Sequence, residues 1–426
     1  MTQAGLSVAV IGGGWAGLAS AVEAARLGHR VALFEMAPQL GGRARRVSVD
    51  GFELDNGQHI LIGAYTETLG LLKRVGVDTE KAFLRTPLSL IGPEGRGLVL
   101  PAGGAASAFV RGVMAQRGWA WRERLQLLFQ AGGWMLQGFR CAPTLTVAEL
   151  VSGLPAAIRQ DLIEPLCVAA LNTPSSEASA EVFLRVLRDA LFAGPGSADL
   201  LLPRQRLSEL LPEPAGRWLV EGGARVHLTR RVERIDPADG GWRLDGEPFN
   251  QVVLATPPGE AARLVSSLNA EWAVTAAALC YEPIVTVYLR SEGTRLPRPM
   301  LSLRSDAALA PAQFVFDLGA LGGPTGLLAF VVSGARPWVD CGSEATVQAT
   351  LGQARSTLSA SLRGPLELVK VLTEKRATFR CTPALRRPAA RIAAGLHAAG
   401  DHVAGPYPAT LEGAVRSGLA AARQLG

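Results

Sequence analysis

Leu6-Ser-Val-Ala-Val-Ile11, then Gly12-Gly-Gly-Trp15-Ala16-Gly17, then small residues to Gly28 and Arg30-Val-Ala-Leu-Phe-Glu35, is the stretch that decides the fold. Two apolar, β-branched-rich runs suit buried parallel strands, and glycines at the first, third and sixth places of the turn open a helix between them. Gly12 permits the tight turn, Gly14 lets backbone approach a pyrophosphate, and Gly17 lets helix and strand pack closely. The helix start, from Trp15 and Ala16 onward, offers unpaired N–H groups and the positive end of the dipole to an anion. Glu35 ends the second strand, where an acid accepts hydrogen bonds from a ribose and disfavours the extra phosphate of NADP. The unit reads as a dinucleotide site in an α/β, Rossmann-like fold.

Around this stretch the chain has 426 residues, 48% of them hydrophobic, enough for two domains or for one with a large insertion. Five scattered cysteines without a Cys-x-x-Cys pair argue against zinc, iron–sulfur clusters and disulfides, so no metal site is expected and a reducing compartment fits. The first thirty residues lack a charged leader and a cleavage site. Uncharged stretches such as Leu125 to Phe139 fall short of the roughly 20 residues that cross a bilayer. The expectation is a cytoplasmic protein, soluble or lying on a membrane. The net charge of +6 is spread as isolated arginines, with no basic tract interleaved with aromatics, so nucleic acid is not an expected partner.

Behind Glu35, the loop Met36 to Arg45 carries Gly41, Gly42 and Arg43, well placed to add positive charge near the phosphates. Val47 to Leu54 alternates like a strand and delivers Asp55-Asn56-Gly57-Gln58-His59, a polar cluster suited to a pocket wall. His59 has two readings here, a structural histidine or a functional one. Trp119 to Arg140 sets aromatics and leucines among arginines, which suits either an amphipathic helix at a membrane interface or a buried helix with a cationic edge. Leu166 to Ser179, with Asn172-Thr173-Pro174, reads as helix, turn, helix. Strands are expected over Val232–Asp236, Gly241–Leu244, Gln251–Thr256, Ile284–Leu289, Leu327–Val332 and Ile392–Ala399. Gly400-Asp401 ends the last of these, and Gly405-Pro406-Tyr407-Pro408 leads into a small-residue helix. The nucleotide region is expected over 1–86, 203–258 and 386–426, and a mixed α+β substrate region over 87–202 and 259–385.

The first glycine turn, Gly41-Gly42-Arg43, Val232, Gly400-Asp401 and Glu412-Gly413-Ala414 with Ser417-Gly418 together resemble the FAD-dependent amine oxidase and carotenoid desaturase superfamily. The resemblance implies FAD as cofactor, with Gly42 and Arg43 near the pyrophosphate and Val232 on adenine. It further implies Asp401 on the ribitol and the 411–414 turn, Leu411 through Ala414, at the flavin end. Asp55-Asn56-Gly57-Gln58-His59-Ile60-Leu61, Ala170-Leu171-Asn172-Thr173-Pro174 and Gly405 through Gly413 look more closely like the bacterial hydroxysqualene dehydroxylases, over essentially the full length. That family is implied to convert hydroxysqualene, a C30 isoprenoid, to squalene with reduced flavin in hopanoid biosynthesis.

Such chemistry needs a hydride donor and an acid that lets water leave. His59, or Asp55 with a pKa raised by burial, is the expected acid, with Tyr407 as a second candidate. Asn56, Gln58 and Asn172 are expected to face substrate or flavin. The alternative for the cluster is that it only hydrogen-bonds the flavin ring and its own loop. A substrate so insoluble is expected to enter from a bilayer, making the protein peripheral on the inner face of the cytoplasmic membrane. Three other readings stand beside this one: a carotenoid-type desaturase, a flavin amine oxidase and a non-catalytic isoprenoid-binding flavoprotein. Nothing in the sequence names what reduces the flavin.

Overall fold

The computed structural model describes residues 5–425 except positions 50 and 307. Its first sheet has six strands, in the order Arg225–His227, Arg30–Phe34, Ser7–Ile11, Gln251–Leu254, Leu396–Ala398 and Arg391–Ala393. The first five run parallel and the last is antiparallel. Both faces are covered, as the continuous apolar runs require. On one face lie the helix Trp15–Arg26 and the C-terminal helix Leu411–Ala422, so close that a Cβ on Gly418 would overlap the Ala16 carbonyl. The other face buries Ile11, Val252 and Leu254 with Ala261, Val265 and Trp272 of the helices Pro258–Val265 and Ala270–Ala277.

Those two helices overturn one expected boundary. Residues 259–277 pack on the nucleotide sheet, so the second region resumes at the strand Tyr281–Arg290. Val232 also lies outside any strand: the antiparallel meander begins at Ile235 and continues through Gly241–Leu244 and Glu247–Phe249. Two expected single strands are hairpins. Arg46–Val49 pairs with Phe52–Asp55, and Arg391–Ala393 with Leu396–Ala398. Gly51 and Gly395 adopt φ of 81° and 71°, the conformation that lets the chain reverse there.

The second sheet is antiparallel, in the order Met300–Ser302, Phe314–Asp317, Leu327–Val332, Tyr281–Arg290, Glu367–Phe379. Strand alternation gives it two faces. Val285, Val287, Leu301, Val315 and Phe330 pack against Val347, Leu351 and Ala354 of the helix Ser343–Thr357. The opposite face looks toward the nucleotide region. A helical layer closes over it, comprising Ala105–Ala115, Trp121–Leu136, Glu164–Leu171 and Ala180–Leu191. Ser179 caps the last of these helices through the Val182 N–H, and Phe183, Leu184, Leu187 and Leu191 make its buried stripe. One core cluster joins residues of 88–202 with residues of 279–381.

Candidate active site

A cavity of about 920 Å³ runs from the first glycine turn, along the 41–45 and 55–59 loops, to the second sheet and the helix Ala180–Leu191. At its nucleotide end the glycines act separately. A Cβ on Gly17 would overlap the Gly12 carbonyl, and Gly12 itself has a φ of 104°. Gly14 is different: the nearest atom a Cβ there would meet is the Gly42 Cα, at an ordinary contact distance of 4.0 Å, and Gly14 lines the cavity. Among the described residues no side chain caps the helix that starts after Gly14, which leaves its first N–H groups for a ligand. The Trp15 indole donates to the Ala44 carbonyl at 3.1 Å and holds the 41–45 loop, and both Trp15 and Ala16 line the cavity. The two Glu35 oxygens accept from the Gly13 and Ala37 N–H groups at 2.7 Å each, which fixes the carboxylate beside Val232 in the cavity wall.

At mid-cavity, Arg43 Nη2 donates to Asp401 Oδ1 at 2.6 Å and Nη1 donates to the Ala377 carbonyl at 2.8 Å. Burial pushes the Asp401 carboxyl up, but the Arg43 charge and His402 outweigh it and hold the group well below the usual carboxylate range. The guanidinium is therefore committed to the carboxylate expected near the ribitol. Gly400 lines the wall beside Asp401. Thr256 Oγ1 and His402 Nε2 are buried in this wall with no hydrogen-bond partner among the described residues. The unfilled space at Gly14 and these two orphaned atoms call for a long ligand with several polar groups.

The 55–59 loop divides its residues between two sides. Asn56 Nδ2 donates to the Arg43 carbonyl and to Glu374 Oε2, both at 3.1 Å, and Gly57, Gln58 and His59 line the cavity. His59 Nδ1 lies 2.9 Å from the Gly57 carbonyl, so Nδ1 carries the proton of the neutral ring. Burial, then the Arg43 charge, lowers its pKa.

Asp55 departs from expectation. It faces a separate polar pocket with Arg204 and Arg206, and its Oδ1 accepts from the Leu207 N–H at 2.9 Å. Burial does raise its pKa, to about 6, as the sequence suggested, but outside the main cavity.

Asn172 lines the cavity with its amide already engaged, whereas Glu412 is turned to other work. Asn172 sits at a φ of 47°, at the end of the helix Glu164–Leu171. Its Nδ2 donates to Glu282 O and Thr378 Oγ1, and its Oδ1 accepts from Gly334 N, so the amide ties three segments together. Glu412 is fully buried, accepting from Thr68 N and Oγ1 and from Arg416, which anchors the C-terminal helix to the helix Thr66–Arg74. Gly413 is needed because a Cβ would overlap the Tyr407 carbonyl; Leu411 and Ala414 are the positions of this turn that line the cavity.

Beyond the loop the cavity becomes an apolar arm, walled by Leu90, Phe183, Leu187, Met300, Phe316 and Val331. Tyr407 stands at its edge against Asp189, under the Arg416 guanidinium 5.0 Å from the ring. Burial, then Asp189, pushes the phenol up to about 12. Asp189, Thr286 and Glu374 line the cavity and escaped the sequence reading. Their signal is slight: one polar residue each in a helix or strand whose charges otherwise look solvent-facing.

The family described as flavin containing amine oxidoreductase matches residues 15–426. Hydroxysqualene dehydroxylase of Rhodopseudomonas palustris is 28% identical over 98% of this chain and 97% of its own length. The enzyme of the same name from Sinorhizobium fredii is also 28% identical, with the same coverage of both chains. Among solved structures, an oxidoreductase from Methanosarcina mazei matches with a TM-score of 0.73 at 17% identity, covering 98% of this chain and 100% of that one. A reduced UDP-galactopyranose mutase matches with a TM-score of 0.69 at 15% identity, covering 98% and 94%. Both structural likenesses speak for the fold. FAD fits the open space at Gly14 and the orphaned Thr256 and His402 atoms, and it is the cofactor of this FAD-dependent oxidoreductase. The chain belongs to the flavin containing amine oxidoreductase family.

Proposed function

We propose that the chain reductively removes the hydroxyl of hydroxysqualene to give squalene, as a step toward hopanoids, on the inner face of the cytoplasmic membrane. The observation that carries this reading is the apolar arm continuous with the nucleotide half of one cavity. Its hydrocarbon wall suits a long isoprenoid. Asp189, a carboxylate beside it, is engaged by Arg185 at 2.9 Å and Arg188 at 2.7 Å. Two full-length relatives bear the name hydroxysqualene dehydroxylase.

When bound and reduced, FAD supplies the hydride. The protein has to exclude water, orient the alcohol and deliver one proton to the departing hydroxyl. We assign the proton to His59. Its Nδ1 is committed to the Gly57 carbonyl, so Nε2 is the nitrogen that exchanges a proton, favoured on the acid side of its lowered pKa. Asp55 is set aside because it faces the other pocket, and Tyr407 because a phenol near 12 keeps its proton.

The membrane side rests on the helix Trp121–Leu136. Leu127, Ala131 and Trp134 are buried, whereas Trp121, Phe129 and Leu136 are 61%, 87% and 92% exposed. Arg122 stacks 5.5 Å over Trp121, and Val110 and Met114 of the preceding helix extend the apolar surface. Among the described residues no helix is long and apolar enough to cross a membrane, and this surface suits docking in the headgroup region. The functional test is product analysis: chemically reduced enzyme, held without oxygen, is given hydroxysqualene, and the lipids are extracted. Squalene is expected. Conversion of squalene or another polyene by the oxidised enzyme, with hydroxysqualene untouched, would replace this reading with a desaturase.

A further inference from the structure

The strand Tyr281–Arg290 presents Ile284, Thr286 and Tyr288 on its cavity-side face. Ile284 is hydrocarbon, and the Tyr288 phenol donates to the Asp55 carbonyl at 2.9 Å. Thr286 is 1% exposed, lines the cavity, and its Oγ1 has no hydrogen-bond partner among the described residues. Strand register sets Leu372 opposite Thr286 and Glu374 opposite Ile284, so this hydroxyl lies where the hydrocarbon arm meets the polar 55–59 loop. Gly57 approaches it closely: a Cβ on that glycine would lie 3.7 Å from Oγ1. A buried hydroxyl left unpaired carries the full desolvation penalty, which a ligand relieves only by bringing a polar atom of its own.

We infer that Thr286 Oγ1 is the hydroxyl subsite of the apolar arm, the contact by which the protein prefers a long uncharged alcohol over the corresponding hydrocarbon. This rests on the reading of the arm as the binding place of such an alcohol. A threonine hydroxyl both donates and accepts, so it pairs with an alcohol in either sense. A hydrocarbon of the same length fills the same wall and leaves Oγ1 unpaired again. Substrate is thereby favoured over product, and the product is the ligand that leaves.

The test uses holoenzyme with oxidised flavin, titrated with hydroxysqualene or squalene in matched detergent micelles, reading the change in flavin absorbance. Wild type is expected to bind the alcohol more tightly. Thr286→Val keeps the shape and removes the hydroxyl; it is expected to weaken the alcohol about tenfold, leave squalene within about twofold, and melt no lower than wild type. Thr286→Ser is expected to restore the preference. A valine variant that keeps the wild-type preference overturns the inference. So does one that loses FAD affinity or shifts the flavin spectrum while keeping that preference, because Oγ1 is then a partner of the cofactor ring. A wild-type enzyme that binds neither ligand removes the functional reading and the subsite together, an outcome distinct from an alcohol that binds but ignores Thr286.

Discussion

The two ends of the cavity are built on opposite plans. At the nucleotide end the ligand meets backbone: a bare helix start after Gly14, a turn at Gly12 and Gly17 where a Cβ would strike protein backbone, and Glu35 fixed by two N–H groups, all supplied by residues 12–37. The apolar arm is made of side chains from segments near residues 90, 183–191, 284–331 and 372. A backbone-built site must be written in one short motif, because only glycine and helix starts provide it. A side-chain site can be assembled from anywhere, provided the fold brings the pieces together.

The sharpest way to break this contrast lies within the glycine turn. Gly17→Ala forces a Cβ into the Gly12 carbonyl and is expected to lose at least about 3 kcal/mol of stability or fail to fold, measured by urea denaturation. Gly14→Ala meets only an ordinary contact with the Gly42 Cα and has an ordinary φ of −74°, so it is expected to fold normally yet bind FAD at least about tenfold more weakly. Equal stability losses in the two variants would mean that both glycines serve packing alone.

His59 sits at the junction of the two plans. His59→Gln, with flavin content matched, is expected to cut kcat/KM for squalene formation at least about tenfold. Wild-type kcat/KM should rise as pH falls through a value below the ordinary histidine 6.5, since protonation is required and burial lowers the pKa. The variant should lose that limb; an unchanged profile would take His59 out of proton delivery.

Asp55 tests whether the polar loop really serves two sides. Its folded pKa of about 6 lies above the usual 3.8, so between those values the folded protein holds a proton that the unfolded chain has released. Its contribution is thus most favourable below about pH 4, declines as pH rises, and is least favourable above pH 6. Asp55→Asn keeps the acceptor for Leu207 N–H and is expected to gain about 1–3 kcal/mol at pH 8, nothing at pH 4, and to leave catalysis nearly unchanged. A large fall in kcat would return Asp55 to the reaction.

The smallest effect is expected at the outer surface. Phe129→Ser with Leu136→Ser should leave the melting temperature within a degree or two, because both side chains are solvent-facing. Liposome flotation should fall several-fold, most clearly with anionic lipid. Undiminished flotation would move the membrane contact elsewhere.

Legibility in the sequence follows the same division. The unit Leu6–Glu35 was readable because strand, turn, helix and acid are contiguous. The 55–59 loop was readable as a pocket wall, but not which of its residues face the pocket, because Asp55 is claimed by Leu207, far along the chain. Glu412 looks like a site residue for the same reason: its partner, Thr68, lies more than a hundred residues away. The strand Glu367–Phe379 was missed because Lys370, Glu374, Lys375 and Arg376 mask its apolar alternation. With it went Glu374, and the register that places Thr286 at the junction. The hairpins at Gly51 and Gly395 read as single strands because alternation continues through the turn.

We propose that one cavity holds FAD at its backbone-built end and an apolar alcohol at the other, for transfer between them. An anaerobic single turnover tests it directly. The bound flavin is photoreduced, one equivalent of hydroxysqualene is added, and flavin absorbance is followed while squalene is quantified. The prediction is reoxidation with one squalene formed per flavin oxidised. Flavin that stays reduced with intact hydroxysqualene in the cavity, or that reoxidises without squalene, would contradict it.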